Sequence, residues 1–167
     1  ILMDSAMDQF VDKDGFGLKR FATEDEKKAS KEKNKKRKLA ERLKSYKDRQ
    51  RDRLSDNAYG SIVKIQMDPS HPLAFGYGDD YFSLRIRNHH YAFLPDGWNV
   101  GVTHDSTALV SGYVGIKAQE NFRESMVFGV ESMGRGNVVY LADNPLFRAF
   151  WRNGKLLFGN AVFIVGN

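Results

Sequence analysis

Met126-Val127-Phe128-Gly129-Val130-Glu131-Ser132-Met133-Gly134-Arg135-Gly136-Asn137-Val138-Val139-Tyr140-Leu141-Ala142 reads as two strands folded back on one another. The apolar run 126–132 is long enough for a covered strand, and 138–142 supplies its partner. Gly134-Arg135-Gly136 between them has the residue types of a hairpin connection. This pair predicts a late antiparallel hairpin inside a sheet.

Upstream, further segments alternate with a period of two. In Val63-Lys64-Ile65-Gln66-Met67 and Phe82-Ser83-Leu84-Arg85-Ile86, successive side chains would face opposite sides of a sheet. Pro95-Asp96-Gly97 marks a turn before a strand at 98–103, and 108–113 reads as another. Downstream, Asp143-Asn144-Pro145 has the form of a helix start, with Asn144 capping and Pro145 at the first helical position. Residues 155–165 are apolar nearly all round, which predicts a buried closing helix. At the other end, Ile1-Leu2-Met3 reads as the end of a buried strand, residues 5–11 as a short helix and Asp14-Gly15-Phe16-Gly17 as a turn. A strand entering a helix at once implies preceding strands that this sequence does not contain. The expected fold is α/β, a mostly parallel sheet truncated at its N-terminal side.

The formal charge of +5 is unevenly spread. Residues 19–53 hold sixteen Lys/Arg against seven Asp/Glu, and the remainder holds ten against fourteen. The basic segment has no Gly or Pro and only Phe21 and Tyr46 as aromatics. Leu39, Leu43, Tyr46, Gln50 and Leu54 form one thin stripe along a predicted helix over 24–55, and Thr23 to Glu26 has capping-box spacing. The chain thus divides into an α/β end at 1–18, a charged helical insertion at 19–55 and the rest of the α/β domain at 56–167. The interleaved acids and the scarcity of stacking aromatics favour a solvated helix face over a specific nucleic-acid site.

No run approaches the roughly 20 apolar residues of a membrane-spanning helix, and no secretion leader is readable. The absence of cysteine excludes a disulfide framework, a thiolate zinc site and a cysteine nucleophile. His71, His89, His90 and His104 show neither common hydrolytic zinc pattern, so no metal ligands are assigned. Adjacent His89 and His90 would point to opposite faces of a strand and read as surface or turn residues.

Ser5 is the one candidate nucleophile, because it follows a strand and opens a helix as a nucleophile elbow requires. Asp4 and Met7 stand where such an elbow places glycines, and a helix-capping role is favoured. His71, in Ser70-His71-Pro72, is a candidate substrate-binding residue, with a loop histidine bonded to backbone as the plainer reading. Arg135 in the hairpin turn and Arg148 beside Asp143 and Trp151 are the remaining candidates. For Arg148, an ion pair with Asp143 is expected.

Five blocks occur in an order that resembles one family: His71-Pro72-Leu73-Ala74-Phe75-Gly76-Tyr77, Gly97-Trp98-Asn99-Val100-Gly101, residues 128–140, Asp143-Asn144-Pro145-Leu146-Phe147-Arg148-Ala149-Phe150-Trp151, and Gly154-Lys155-Leu156-Leu157-Phe158-Gly159-Asn160-Ala161-Val162-Phe163. Asp12-Lys13-Asp14-Gly15-Phe16-Gly17-Leu18-Lys19 and the charged helix resemble it as well. The chain resembles the C-terminal region of large zinc carboxypeptidases of Bacteroidetes-type bacteria, a flavodoxin-like domain of the class I glutamine amidotransferase kind. The resemblance implies a periplasmic or secreted parent with a zinc peptidase domain upstream in the same chain, which would hold the zinc. It implies a non-catalytic accessory role here, supporting the peptidase or its peptide substrate, since Ser5 stands near the position of an amidotransferase cysteine. The alternatives are an independent amidotransferase-like hydrolase using Ser5 and a basic nucleic-acid-binding module.

Overall fold

The computed structural model describes residues 1–20, 43–55, 58–87, 89–104, 108–120 and 124–166. Its centre is one open sheet of seven strands: β1 (Leu2–Met3), β2 (Ser61–Met67), β3 (Asp80–Arg85), β4 (Trp98–Thr103), β5 (Leu109–Ser111), β6 (Ser125–Met133) and β7 (Gly136–Leu141). The order is β1-β7-β6-β4-β2-β3, with β5 also paired to β2. Around it, among the described residues, lie three α-helices, α1 (Tyr46–Ser55), α2 (Ile116–Glu120) and α3 (Asn153–Phe163), and short 3₁₀ turns. The protein is therefore a mixed α/β fold with few helices.

The late hairpin forms as its sequence requires. Met133 pairs with Gly136, and Gly134 takes φ 59°, so a tight turn reverses the chain. The expectation of a mostly parallel sheet is corrected. Only β1 with β7 is parallel, Leu2 opposite Tyr140 and Met3 opposite Leu141, and every other described pairing is antiparallel. The cause lies in β6. It sits between β7 and β4, and seven successive residues from Ser125 to Glu131 are buried. Cover on both faces produces the continuous apolar run usual in parallel strands, although this strand is antiparallel.

One buried cluster gathers Val63, Ile65, Tyr81, Val100, Phe128, Val130, Tyr140 and Leu141 from the sheet. Met7 and Leu18 join it from the N-terminal segment, Leu73 from the loop after β2, and Leu157 and Ala161 from α3. Tyr81 packs edge-on against Phe128, with ring centroids 5.2 Å apart. Helix α3 is tied down by polar contacts as well. The Tyr77 hydroxyl donates to the Asn153 carbonyl and accepts from the Leu157 N–H. Asn160 Nδ2 donates to the carbonyls of Leu73 and Phe75 at 3.0 and 2.8 Å.

Three further expectations change. Residues 5–11 do not form an α-helix; a 3₁₀ helix runs over Asp4–Gln9. Asn144 does not start a helix. Its Oδ1 accepts from Leu146 N–H, and only a 3₁₀ turn follows at Phe147–Ala149. Arg148 and Ala149 take φ 49° and 59°, left-handed values through which a right-handed helix cannot propagate. The closing helix expected over 155–165 runs over Asn153–Phe163 and is not buried all round. It buries Gly154, Leu157, Asn160 and Ala161, whereas Phe163 is 72% exposed.

Most of the predicted charged helix lies outside the described residues, as does the capping box at Thr23. Within them it is not continuous, because Lys44 and Ser45 break it before α1. Ser45 Oγ accepts from Asp48 N–H and donates to the Asp48 carboxylate, a capping pair that starts a new helix. Leu43, Tyr46 and Leu54 of the thin stripe are exposed. Among the described residues no helix is long and apolar enough to cross a membrane.

Candidate functional site

The loop after β2 is built by its own polar side chains. Asp68 Oδ1 accepts from the N–H and hydroxyl of Ser70, at 3.0 and 2.5 Å, folding the chain into a tight turn. Two residues on, His71 Nδ1 accepts from Leu73 N–H at 3.0 Å and caps the 3₁₀ helix Pro72–Ala74. Pro72, which has no N–H to leave unpaired, occupies the first position.

This loop forms one wall of an open cleft of about 410 Å³. Trp98 of β4, Val130 of β6, Asn137 of β7 and the turn after α3 at Ile164, Val165 and Gly166 complete it. Trp98 is 52% exposed, and its ring centroid lies 5.8 Å from that of His71. Burial pushes the His71 imidazole below its usual pKa, partly opposed by the nearby Asp68 carboxylate. Hydrogen bonds from Ser70 hold Asp68 below the usual carboxylate range. At neutral pH the cleft therefore presents a carboxylate, a neutral imidazole, an indole face and aliphatic walls. No Lys or Arg is among its described lining. Asp68 also lines a neighbouring cleft of about 610 Å³ with Asp79, Asp80, Lys64 and His104, where Lys64 Nζ is 2.8 Å from Asp80.

Of the four residues singled out from the sequence, His71 alone lines a described cleft, and it also makes the backbone contact expected of a loop histidine. Ser5 is exposed in the first turn of the 3₁₀ helix, and no described residue hydrogen-bonds its hydroxyl. Arg135 is exposed at the hairpin turn. Arg148 is exposed, its guanidinium over the Phe147 ring at 5.1 Å. The expected Asp143–Arg148 pair is not formed. Asp143 is buried and is held by Arg85, Nε to Oδ1 at 3.4 Å, and by the Ser83 hydroxyl at 2.7 Å. The left-handed backbone at Arg148 carries that side chain outward, while β3 brings Ser83 and Arg85 to the buried carboxylate.

A second polar cluster was not anticipated. Asp4, at the junction of β1 and the 3₁₀ helix, takes φ 51°, a strained value for a non-glycine residue. Its Oδ1 lies 3.0 Å from Arg87 Nε and 3.4 Å from His89 Nε2. On the other side of the imidazole, His89 Nδ1 lies 3.7 Å from Asp8 Oδ2. Arg20 pairs with Asp8 Oδ1 at 2.9 Å, and the Tyr91 hydroxyl donates to the same oxygen at 3.1 Å. His89 thus faces inward between two carboxylates and stacks on Tyr91, contrary to the surface reading. The space among these groups is about 30 Å³, room for one water. Arg20 and Arg87 balance the two carboxylates, and the cluster joins the first twenty residues to Arg87, His89 and Tyr91. Spacing could not reveal it, because Asp4 and Asp8 lie about eighty residues from Arg87, His89 and Tyr91.

Among the described residues, no group of three or more His, Asp or Glu side chains is arranged to hold a metal ion. Comparison with known proteins finds no matching family model, no matching curated protein and no matching solved structure.

Proposed function

We propose that the chain is a non-catalytic accessory region of a secreted or periplasmic zinc carboxypeptidase-like protein, and that it holds peptide in the cleft between His71 and Trp98. One observation carries this reading. The sequence blocks that resemble the carboxypeptidase family are scattered over ninety residues, yet three of them meet at this cleft. His71 and Pro72 come from the first block, Trp98 from the second, and Val130 and Asn137 from the third, while the last block runs directly into Ile164. The cleft is open and part aromatic, with a few fixed polar groups, which suits an extended ligand held without chemistry.

In this reading zinc belongs to the peptidase part upstream, since the described residues here supply no ligand group for it. A flavodoxin-like relationship is supported only by β1, a parallel strand that turns at once into a 3₁₀ helix. The hydrolase alternative at Ser5 has a strand-to-helix junction in its favour, but the strained elbow residue is Asp4. The nucleic-acid alternative rests on a segment mostly outside the described residues.

The test is the complete coding sequence around Ile1, expressed whole. A His-x-x-Glu zinc motif upstream, with carboxypeptidase activity whose KM rises several-fold in Trp98→Ala at unchanged kcat, is the expected result. A complete protein without a zinc peptidase overturns the accessory reading.

A further inference from the structure

The His71–Trp98 cleft has an unbalanced chemistry. Asp68 is the only charged side chain among its described lining, and Ser70 engages only its Oδ1. No described residue bonds Oδ2. The neighbouring cleft shares Asp68 and is itself lined by Asp79 and Asp80, of which Asp80 pairs with Lys64. The same cleft is lined by the exposed indole of Trp98 and the aliphatic side chains of Val130, Ile164 and Val165.

We propose that the cleft binds a peptide through a lysine or arginine side chain, with its cationic head at Asp68 and its aliphatic stem on Trp98, Val130 and Val165. This assignment rests on the peptide-holding reading above and adds its specificity. An indole face attracts a cation through its π electrons, and the methylene stem of Lys or Arg covers apolar surface while the head stays polar. The His71 imidazole, neutral near pH 7, adds no repelling charge. An anionic or neutral side chain would lose both the carboxylate and the cation–π contact.

The experiment is calorimetric titration of the chain at pH 7.5 with blocked tripeptides, N-acetyl-Ala-X-Ala-amide, where X is Lys, Arg, Gln or Glu. Butylamine serves as a separate arm for a free amine. The expected result is binding of the Lys and Arg peptides at least about tenfold tighter than Gln, the scale of one partly screened cation contact, with Glu weaker still. Butylamine should bind more weakly than the Lys peptide. Asp68→Asn should erase the Lys-over-Gln preference, while Asp79→Asn should leave it intact. Because Asp68 also shapes its loop, Trp98→Leu is the second variant. It should weaken Lys and Arg binding while the circular dichroism stays that of the parent.

Equal affinity for Lys, Gln and Glu, a preference surviving Asp68→Asn and Trp98→Leu, or no binding at millimolar peptide would overturn the proposal. Selective Lys binding by a chain with no zinc peptidase upstream would leave it standing and remove only the accessory reading.

Discussion

The carboxylate of Glu131 closes on the backbone N–H of Gly17, with Oε1 at 2.8 Å and Oε2 at 3.0 Å. The Tyr140 hydroxyl donates to the same Oε2 at 2.6 Å, so one side chain of β6 ties the N-terminal loop to β7. A β-carbon at position 17 would lie 2.6 Å from Oε1, closer than any real contact. Gly17→Ala should therefore expel the carboxylate and cost about 1–3 kcal/mol, the usual penalty for a buried polar group that loses its partner. Urea unfolding of the two proteins measures it, and an unchanged midpoint would refute the contact.

The buried Asp143 offers a second test. Asp143→Ala leaves the Arg85 guanidinium without its counter-ion and should cost about 3–5 kcal/mol. Arg148→Ala, at the residue expected from sequence to make that pair, should change stability by less than about 0.5 kcal/mol, as at an ordinary exposed site. Equal losses in the two variants would restore the sequence-based pairing.

Alkaline stability follows from three tyrosines. Burial is the first cause that raises Tyr81, Tyr91 and Tyr140 above the usual phenol pKa of 10.0, with neighbouring Asp8 adding at Tyr91 and Glu131 at Tyr140. A raised pKa means the folded protein holds these protons more tightly than the unfolded chain does. Their contribution is fully present below about pH 10 and is lost as pH rises above it. Absorbance at 295 nm should show these phenolates appearing together with loss of circular dichroism. Full ionisation with the fold intact would contradict the burial.

Acid acts at His71. Its pKa is lowered in the folded state, chiefly by burial, so the unfolded chain binds the proton more readily. Its contribution is present above the ordinary value of 6.5 and is lost as pH falls from there through the depressed value. Protonation of Nδ1 also removes the acceptor for Leu73 N–H. In Trp151→Phe, which leaves Trp98 as the sole indole, fluorescence should titrate with a midpoint below 6.5, and His71→Gln should abolish the transition. A midpoint above 6.5 would show that Asp68, not burial, dominates.

Elements with a local pattern were legible. The hairpin at Gly134-Arg135-Gly136 and the strand at Trp98–Thr103 are set by turn residues and alternation within a few positions. The direction of the sheet was not, because the buried run in β6 has the same composition whether its neighbours run parallel or antiparallel. The helix start expected at Asn144 failed because nothing local marks Arg148 and Ala149 as left-handed. At the candidate site, His71 stood out by its Pro neighbour. Trp98, Val130 and Asn137 reach it through pairings made across the sheet, and Asp4, Asp8 and His89 meet only because β1 returns to β7.

That return has a consequence during synthesis. The partners of Leu2 and Met3 are Tyr140 and Leu141, made 138 residues later. Strand β1 must wait without this partner while the intervening residues are made, roughly 7–28 s at about 5–20 residues per second. The local hairpin of β6 and β7 can assemble within microseconds of emerging and then serves as the template on which the opening strand is captured. Of the described strands, β1 is thus made first and joins the sheet last.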